Sequence, residues 1–215
     1  MNALQKRFND WKNGLLVYKF ALDEIDTKLS ILSEEFEFIH NHNPMEHVKS
    51  RLKEPNSIMD KLKRKGLEVT LFNAREHVRD IAGVRVTCSF VADIYKVYHM
   101  LSKQDDIKVL EVKDYINYPK PNGYRSFHLI VEVPVFLASS TERVPVEIQI
   151  RTIAMDTWAS LEHKIFYKYD QEIPEELKDE LKQAADTVRA LDDKMESIHT
   201  RVEKEKHKVT PTILK

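Results

Sequence analysis

The stretch RVPVEIQIR, residues 143–151, decides the fold. Val146, Ile148 and Ile150 alternate with Glu147, Gln149 and Arg151. Successive side chains of a strand point to opposite faces, so one face here is apolar and the other carries a carboxylate, an amide and a guanidinium. An apolar face of this kind belongs against a core, and the polar face is where chemistry can sit.

Working outward, three further stretches read as strands: GVRVTCSF (83–90), IKVLEVKDYI (107–116) and RSFHLIVEV (125–133). In the first, Val84, Val86, Cys88 and Phe90 are expected inward, with Arg85, Thr87 and Ser89 outward. In the third, Phe127, Leu129, Val131 and Val133 are expected inward, leaving Ser126, His128, Ile130 and Glu132 on the other face. Residues 92–104 and 153–169 read as helices, with Trp158, Leu161 and Ile165 expected in the core. The class is therefore α+β, a mixed β-sheet flanked by helices.

Both ends of the chain have a different texture. From Leu4 to Ile39 the apolar positions advance in steps of four and three, through Phe8, Trp11, Leu15, Tyr18, Leu22, Ile25, Leu29, Leu32 and Phe36. Leu177, Leu181, Ala184, Val188, Leu191, Met195, Ile198 and Val202 repeat the pattern. Each is a heptad seam on a long helix that needs a partner. Two such helices can pack within one chain or hold copies together. The second reading assigns residues 1–43 and 171–215 to oligomerisation and 44–170 to a catalytic domain. HNHNP, residues 40–44, ends the first helix, and residues 204–215 read as a polar tail.

Composition narrows the function. Net charge is −1 although 32% of residues are charged, so affinity for anions has to come from local clustering. Between His47 and Lys65 stand seven Lys and Arg against Glu54 and Asp60. The single cysteine, Cys88, cannot form an internal disulfide and reads as a small buried hydrophobe. No stretch is apolar enough to span a bilayer and the N-terminus lacks a signal-peptide core, so a soluble, cytoplasmic protein is expected.

If the polar strand faces coincide, Arg85, His128, Glu147, Gln149 and Arg151 line one surface, with Asp80 at the entry to the first strand. The alternative is a plain solvated sheet face. Two nearby carboxylates can hold Mg²⁺, and one can instead deprotonate a hydroxyl. The basic segment reads as a short helix, with Pro55 in its first turn and Gly66 at its end. Ser57, Lys61, Arg64 and Lys65 lie along one stripe and Ile58 and Leu62 anchor the next, an arrangement suited to a triphosphate. Before the third strand, Lys113, Asp114, Tyr115, Lys120 and Tyr124 interleave charges with rings, as a base-stacking site does. No glycine-rich phosphate loop is present, so nucleotide binding has to rest on cationic side chains.

Taken together these residues resemble the RelA/SpoT family. The resemblance is carried by Arg51, Lys53, Ser57 and Lys61 at motif spacing, by RDIAGVR (79–85), by NGYRSFH (122–128), and by VEIQIRTIAMDTWASLEH (146–163). The helical ends, DWKNGLLVYKFALD among them, look like those of the RelP type of small alarmone synthetase. The resemblance implies transfer of pyrophosphate from ATP to the ribose 3′-hydroxyl of GDP or GTP with Mg²⁺, on a nucleotidyltransferase-like sheet.

Carried over by position, Arg51 and Arg85 sandwich adenine, while Lys53, Ser57, Lys61 and Arg64 hold the ATP phosphates. Asp80 binds metal, and Glu147 is the base on the 3′-hydroxyl and a possible second metal ligand. Tyr124 stacks on guanine, Lys113, Lys120 and His128 reach the acceptor's phosphates or ribose, and Gln149, Arg151, Asp156 and Glu162 complete the pocket. The resemblance also implies a homotetramer built through the terminal helices. It implies synthesis without hydrolysis, because no His is followed by Asp. The rival reading is a non-catalytic nucleotide- or RNA-binding module. It leaves Asp80 and Glu147 facing phosphates without a reason, and RNA could still act as a regulator.

Overall fold

Strand RVPVEIQIR lies inside β5 (Thr141–Thr152), the middle strand of a five-stranded sheet. The computed structural model describes residues 3–167 and 173–209. The other strands are β1 (His47–Leu52), β2 (Ala82–Cys88), β3 (Lys108–Asp114) and β4 (Phe127–Phe136). Their order is β1-β2-β5-β4-β3, and only the β2–β5 pair is parallel. The sheet is thus mixed, as the alternation implied.

The helices are α1 (Ala3–His40), α2 (Pro55–Arg64), α3 (Leu71–His77), α4 (Val91–Ser102), α5 (Ile153–Tyr167) and α6 (Glu175–Val209). Helix α1 ends where Asn41 takes a φ of 50°, the left-handed C-terminal cap that Asn tolerates. Pro55 opens α2 and Gly66, at φ 70°, follows its end, while Ile58 and Leu62 are fully buried beneath it. Among the described residues no helix is long and apolar enough to cross a membrane.

Val84, Val86, Leu129, Val131, Val146, Ile148 and Ile150 form one core with residues of α1, α2 and α4. Fully burying such a side chain contributes roughly 1.5–3 kcal/mol before the entropy cost of ordering it, and this cluster anchors the sheet. Cys88 belongs to it, and burial pushes its thiol up, out of reach of ionisation at neutral pH.

The first heptad seam is covered by the chain itself. Trp11, Leu15, Tyr18, Leu22, Ile25, Leu29 and Leu32 are all buried in the sheet core. Leu4 and Phe8 at its start lie outside the described side chains, and Ile39 at its end is exposed. The second seam behaves differently. Leu181 and Val188 pack on Trp158 and Tyr124, whereas Leu177, Leu191, Met195, Ile198 and Val202 are exposed.

Four expectations need correction. Residues 47–52, taken only as part of a cationic run, form edge strand β1, whose side chains are mostly exposed and so lack an apolar signature. Helix α3 had no sequence signal; only Ala74 on it is buried. Leu161 and Ile165 of α5 are exposed rather than core, because that helix meets its neighbours through Trp158 and Ala159 instead. Thr87, Ser126 and Ile130, expected on the open face, are buried, as is Arg151. In addition, residues 204–209 of the expected tail continue α6 as helix, Phe90 lies half-buried at the start of α4 rather than inward on a strand, and Ala184 of the second seam is exposed while Ala185 is buried. Residues 168–169 of the expected helix and 210–215 of the expected tail lie outside the described residues.

Candidate active site

Register brings the polar face together. Lys49, Arg85, Gln149, His128 and Lys113 are successive cross-strand partners on β1, β2, β5, β4 and β3. Directly opposed residues share a face, so this row runs across the whole sheet with cations at both edges. Two residues along on the same face lies the row Arg51, Gly83, Glu147, Ile130 and Glu111. Gly83 has no side chain, and that of Arg51 lies over it, 3.8 Å from where a Cβ would stand. Lys49, Arg51, Gly83, Arg85, Glu147 and Gln149 line a cavity of about 170 Å³.

Beside this cavity lies the basic helix. Asp80, in the turn before β2, accepts from Lys61 Nζ at 2.8 Å and Lys53 Nζ at 3.0 Å. Burial alone would raise its carboxyl, but Lys61 and then Lys53 hold it below the usual range. Ser57 and Arg64 are exposed on the same helix, and Arg64 Nε reaches only the Asp60 carbonyl, at 3.4 Å. The Ser57 hydroxyl and the Arg64 guanidinium are open to a phosphate, whereas Lys53 and Lys61 are held by Asp80. Arg85 pairs with Asp156 at 3.1 Å, yet its Nε is buried without a hydrogen-bond partner. An orphaned buried donor in a cleft is a place for a ligand atom.

The other side of the face is already wired. Arg151, buried, donates to Tyr124 Oη at 2.6 Å, Gln149 Oε1 at 3.0 Å, Asp156 Oδ1 at 3.0 Å and Ser126 Oγ at 3.2 Å. Gln149 passes the chain on, donating to Glu147 Oε2 at 2.9 Å. Tyr124 Oη lies 2.8 Å from His128 Nε2. The other ring nitrogen, Nδ1, lies 3.9 Å from Glu147 Oε1, so His128 stands between the Tyr124 hydroxyl and the Glu147 carboxylate. Burial, with Arg151, Lys120 and Lys113 nearby, pushes the His128 pKa down to about 3, so the ring is neutral.

The aromatic loop completes this side of the face. Lys120 Nζ sits 4.8 Å from the Tyr124 ring centroid and 5.0 Å from that of Tyr115. Asp114 fixes the loop by accepting from the backbone of Ile116 and Asn117 and from Tyr95 Oη. Lys113, on the edge strand, pairs with Glu111 at 3.0 Å, which raises its pKa. Glu162 meets the Asn122 amide at 3.4 Å, at the turn rather than inside the network.

Of the candidate residues, Arg51, Arg85, Lys113, His128, Glu147 and Gln149 thus share one sheet face, Tyr124, Arg151 and Asp156 join it through hydrogen bonds and ion pairs, and Ser57, Arg64 and Glu162 stand apart from it. Lys49 was counted only in the cationic run, yet it lines the cavity, while Tyr115 meets the rings of Tyr124 and His128 edge-on. Lys49 becomes legible once β1 is a strand, because it then shares a face with Arg51. Among the described residues no group of three or more His, Cys, Asp or Glu could cage a metal alone. Two carboxylates facing a phosphate site are a donor set that Mg²⁺ accepts, since it keeps waters and substrate oxygens in its shell.

Fold and site together define a mixed-sheet protein whose one polar face carries cations toward one side, aromatic rings toward the other and the Glu147 carboxylate between them. Residues 50–172 match the family model described as a region found in RelA / SpoT proteins. The chain is 57% identical over 203 residues to the GTP pyrophosphokinase YwaC of Bacillus subtilis, covering 94% of this chain and 97% of that one. Among solved structures, small alarmone synthetase 2 from B. subtilis superposes with a TM-score of 0.82 at 57% identity, over 89% of this chain and all but 1% of the other, whose coverage is 99%. Small alarmone synthetase 1 from the same organism, bound to its product pppGpp, also gives 0.82, at 38% identity over 91% of this chain and 99% of that one. The chain belongs to the RelA/SpoT family.

Proposed function

We propose that this protein is a small alarmone synthetase, transferring pyrophosphate from ATP to the ribose 3′-hydroxyl of GDP or GTP to make ppGpp or pppGpp. The observation that carries this reading is the pair of in-register rows, with Glu147 between a cationic side and an aromatic side of one face. A pure binder has no use for carboxylates facing phosphates. Further support comes from similarity to a synthetase solved with pppGpp and also, at 37% identity and a TM-score of 0.78 over 91% of this chain and 99% of that one, with AMPCPP.

In this reading Arg51 and Arg85 hold adenine, and Lys53, Ser57, Lys61 and Arg64 hold the donor phosphates. Tyr124 stacks on guanine, with Lys113, Lys120 and His128 on the acceptor's phosphates or ribose. Arg151, Gln149 and Asp156 brace these groups, and Glu162 steadies the turn through Asn122. Glu147 takes the 3′-hydroxyl proton, the oxygen forms a bond to the β-phosphorus, and the bond from that phosphorus to the α–β bridging oxygen breaks, releasing AMP. Asp80 and Glu147 would hold Mg²⁺, which supplies charge neutralisation at the phosphates. Lys53 and Lys61 must then leave Asp80 for the phosphates, an exchange of one anionic partner for another.

A homotetramer, with helical ends of the RelP type, belongs to the same proposal. Its support is the exposed stripe Leu191, Met195, Ile198 and Val202 on α6, together with exposed Leu161 and Ile165 on α5. Light scattering at micromolar concentration tests it, and a monomer overturns it.

The reaction itself is tested by incubating the purified protein with ATP labelled in its terminal phosphates, Mg²⁺, and GDP or GTP. Label in a guanosine product is expected. Binding of both nucleotides without transfer would sink the enzyme reading and leave a nucleotide- or RNA-binding module in its place.

A further inference from the structure

We infer that Asp192, on the C-terminal helix, is a positioning residue for the acceptor end of the site: it fastens the two strand ends that carry Tyr124 and Arg151. Its carboxylate is buried and accepts from Thr152 Oγ1 at 3.0 Å. The same oxygen lies 3.6 Å from Arg125 Nη1. Thr152 follows Arg151, and Arg125 follows Tyr124. The front of each pair faces the nucleotide site and the back meets α6.

Three features separate this contact from ordinary packing. Arg125 is 8% exposed, and its Nε and Nη1 have no hydrogen-bond partner, so the Asp192 carboxylate is what balances a buried charge. Thr152 Oγ1 also accepts from the Met155 backbone at 3.0 Å, capping α5. The first turn of α5 carries Asp156, which bridges Arg151 and Arg85. One carboxylate is therefore joined through Thr152 to the cap of the helix that carries Asp156, and through Arg125 to the turn that carries Tyr124.

The rest of the same helix face follows suit. Leu181 accepts from Trp158 Nε1 at 3.2 Å through its carbonyl. A Cβ on Gly123, the residue before Tyr124, would stand 2.4 Å from the Ala185 methyl carbon, and Gly123 has a φ of 85°. Residues 181, 185, 188 and 192 form one stripe at helical spacing. Helix α6 is thereby laid along the back of the NGYR turn, from Gly123 to Arg125. The turn cannot shift without moving the helix.

This inference rests on the reading of Tyr124 and Arg151 as acceptor residues. Its test measures KM for GDP and for ATP, with kcat, in Asp192→Asn, Thr152→Val and Tyr124→Ala, after melting curves confirm a folded protein. Asp192→Asn and Thr152→Val are each expected to raise the acceptor KM on the order of tenfold with the ATP KM within roughly twofold. Thr152→Val keeps the charge pair and the shape, so it decides the matter if Asp192→Asn does not fold. A fall in kcat with both KM values unchanged, or an equal rise in both, overturns the inference while Tyr124→Ala still raises the acceptor KM. If Tyr124→Ala leaves the acceptor KM unchanged, the acceptor reading falls and this inference with it.

Discussion

The two halves of the face, donor and acceptor in the proposed reading, are built on opposite plans. On the donor side, Lys53 and Lys61 are held by a carboxylate that they must release, and Ser57 and Arg64 stand in solvent. On the acceptor side, Arg151, Tyr124, His128, Gln149 and Asp156 already bond to one another. Preorganised groups cost little to use, whereas stoppered cations must change partners before they can act. The difference teaches that geometry on the acceptor side and charge on the donor side are what mutation should disturb.

Glu147 stands between the two halves, and its loss should be the largest. Glu147→Gln keeps size and hydrogen bonding to Gln149 but cannot take a proton, so turnover is expected to fall by about 10²–10⁴ with nucleotide affinity retained. Single-turnover assays at saturating nucleotides check this. Turnover above about a tenth of the parent would move the base role to another group.

Tyr124→Ala should come next and should separate the halves. Removing the ring is expected to raise the acceptor KM roughly 5- to 150-fold, from about 1–3 kcal/mol of stacking, while the ATP KM stays nearly unchanged. Lys61→Ala should do the reverse, raising the ATP KM by roughly tenfold, about 1.4 kcal/mol, and sparing GDP. Its effect should shrink at high salt, because a cation at the solvent edge is screened more than a buried network. Equal effects of either substitution on both nucleotides would erase the contrast.

The smallest effect concerns the loop that carries the acceptor cations. Burial and the Asp114 hydrogen bond push the Tyr95 pKa up to about 12 from 10.0. The unfolded chain loses that proton at lower pH than the folded one, so this contribution is intact below pH 10 and is lost as pH rises toward 12. Denaturant melts of the parent and Tyr95→Phe at pH 8 and pH 11 check it, the variant being expected to lose less.

Most of the site was legible because strand periodicity is local. Glu147, Gln149 and Arg151 had to share a face whatever the sheet did, and Arg85 and His128 followed on their own strands. The cationic stripe of α2 was legible for the same reason, with Ile58 and Leu62 marking its buried side. Lys49 was not, because a short exposed edge strand carries no apolar alternation to announce it. Nor was the partnership of Asp80 with Lys53 and Lys61, which depends on a turn and a helix meeting across 27 and 19 residues.

The two long helices mark where sequence stopped and tertiary structure took over. Their heptad patterns are alike, and each fixed an apolar face through the pitch of its own backbone. Only the folded chain decided that Ile25 and Leu29 are fully covered by the sheet while Met195 and Ile198 stay exposed. Only the folded chain set Asp192 behind Arg125 and Thr152. A period is fixed by bonds between near neighbours, but burial is fixed by which distant surfaces fit, and no single stretch contains that information.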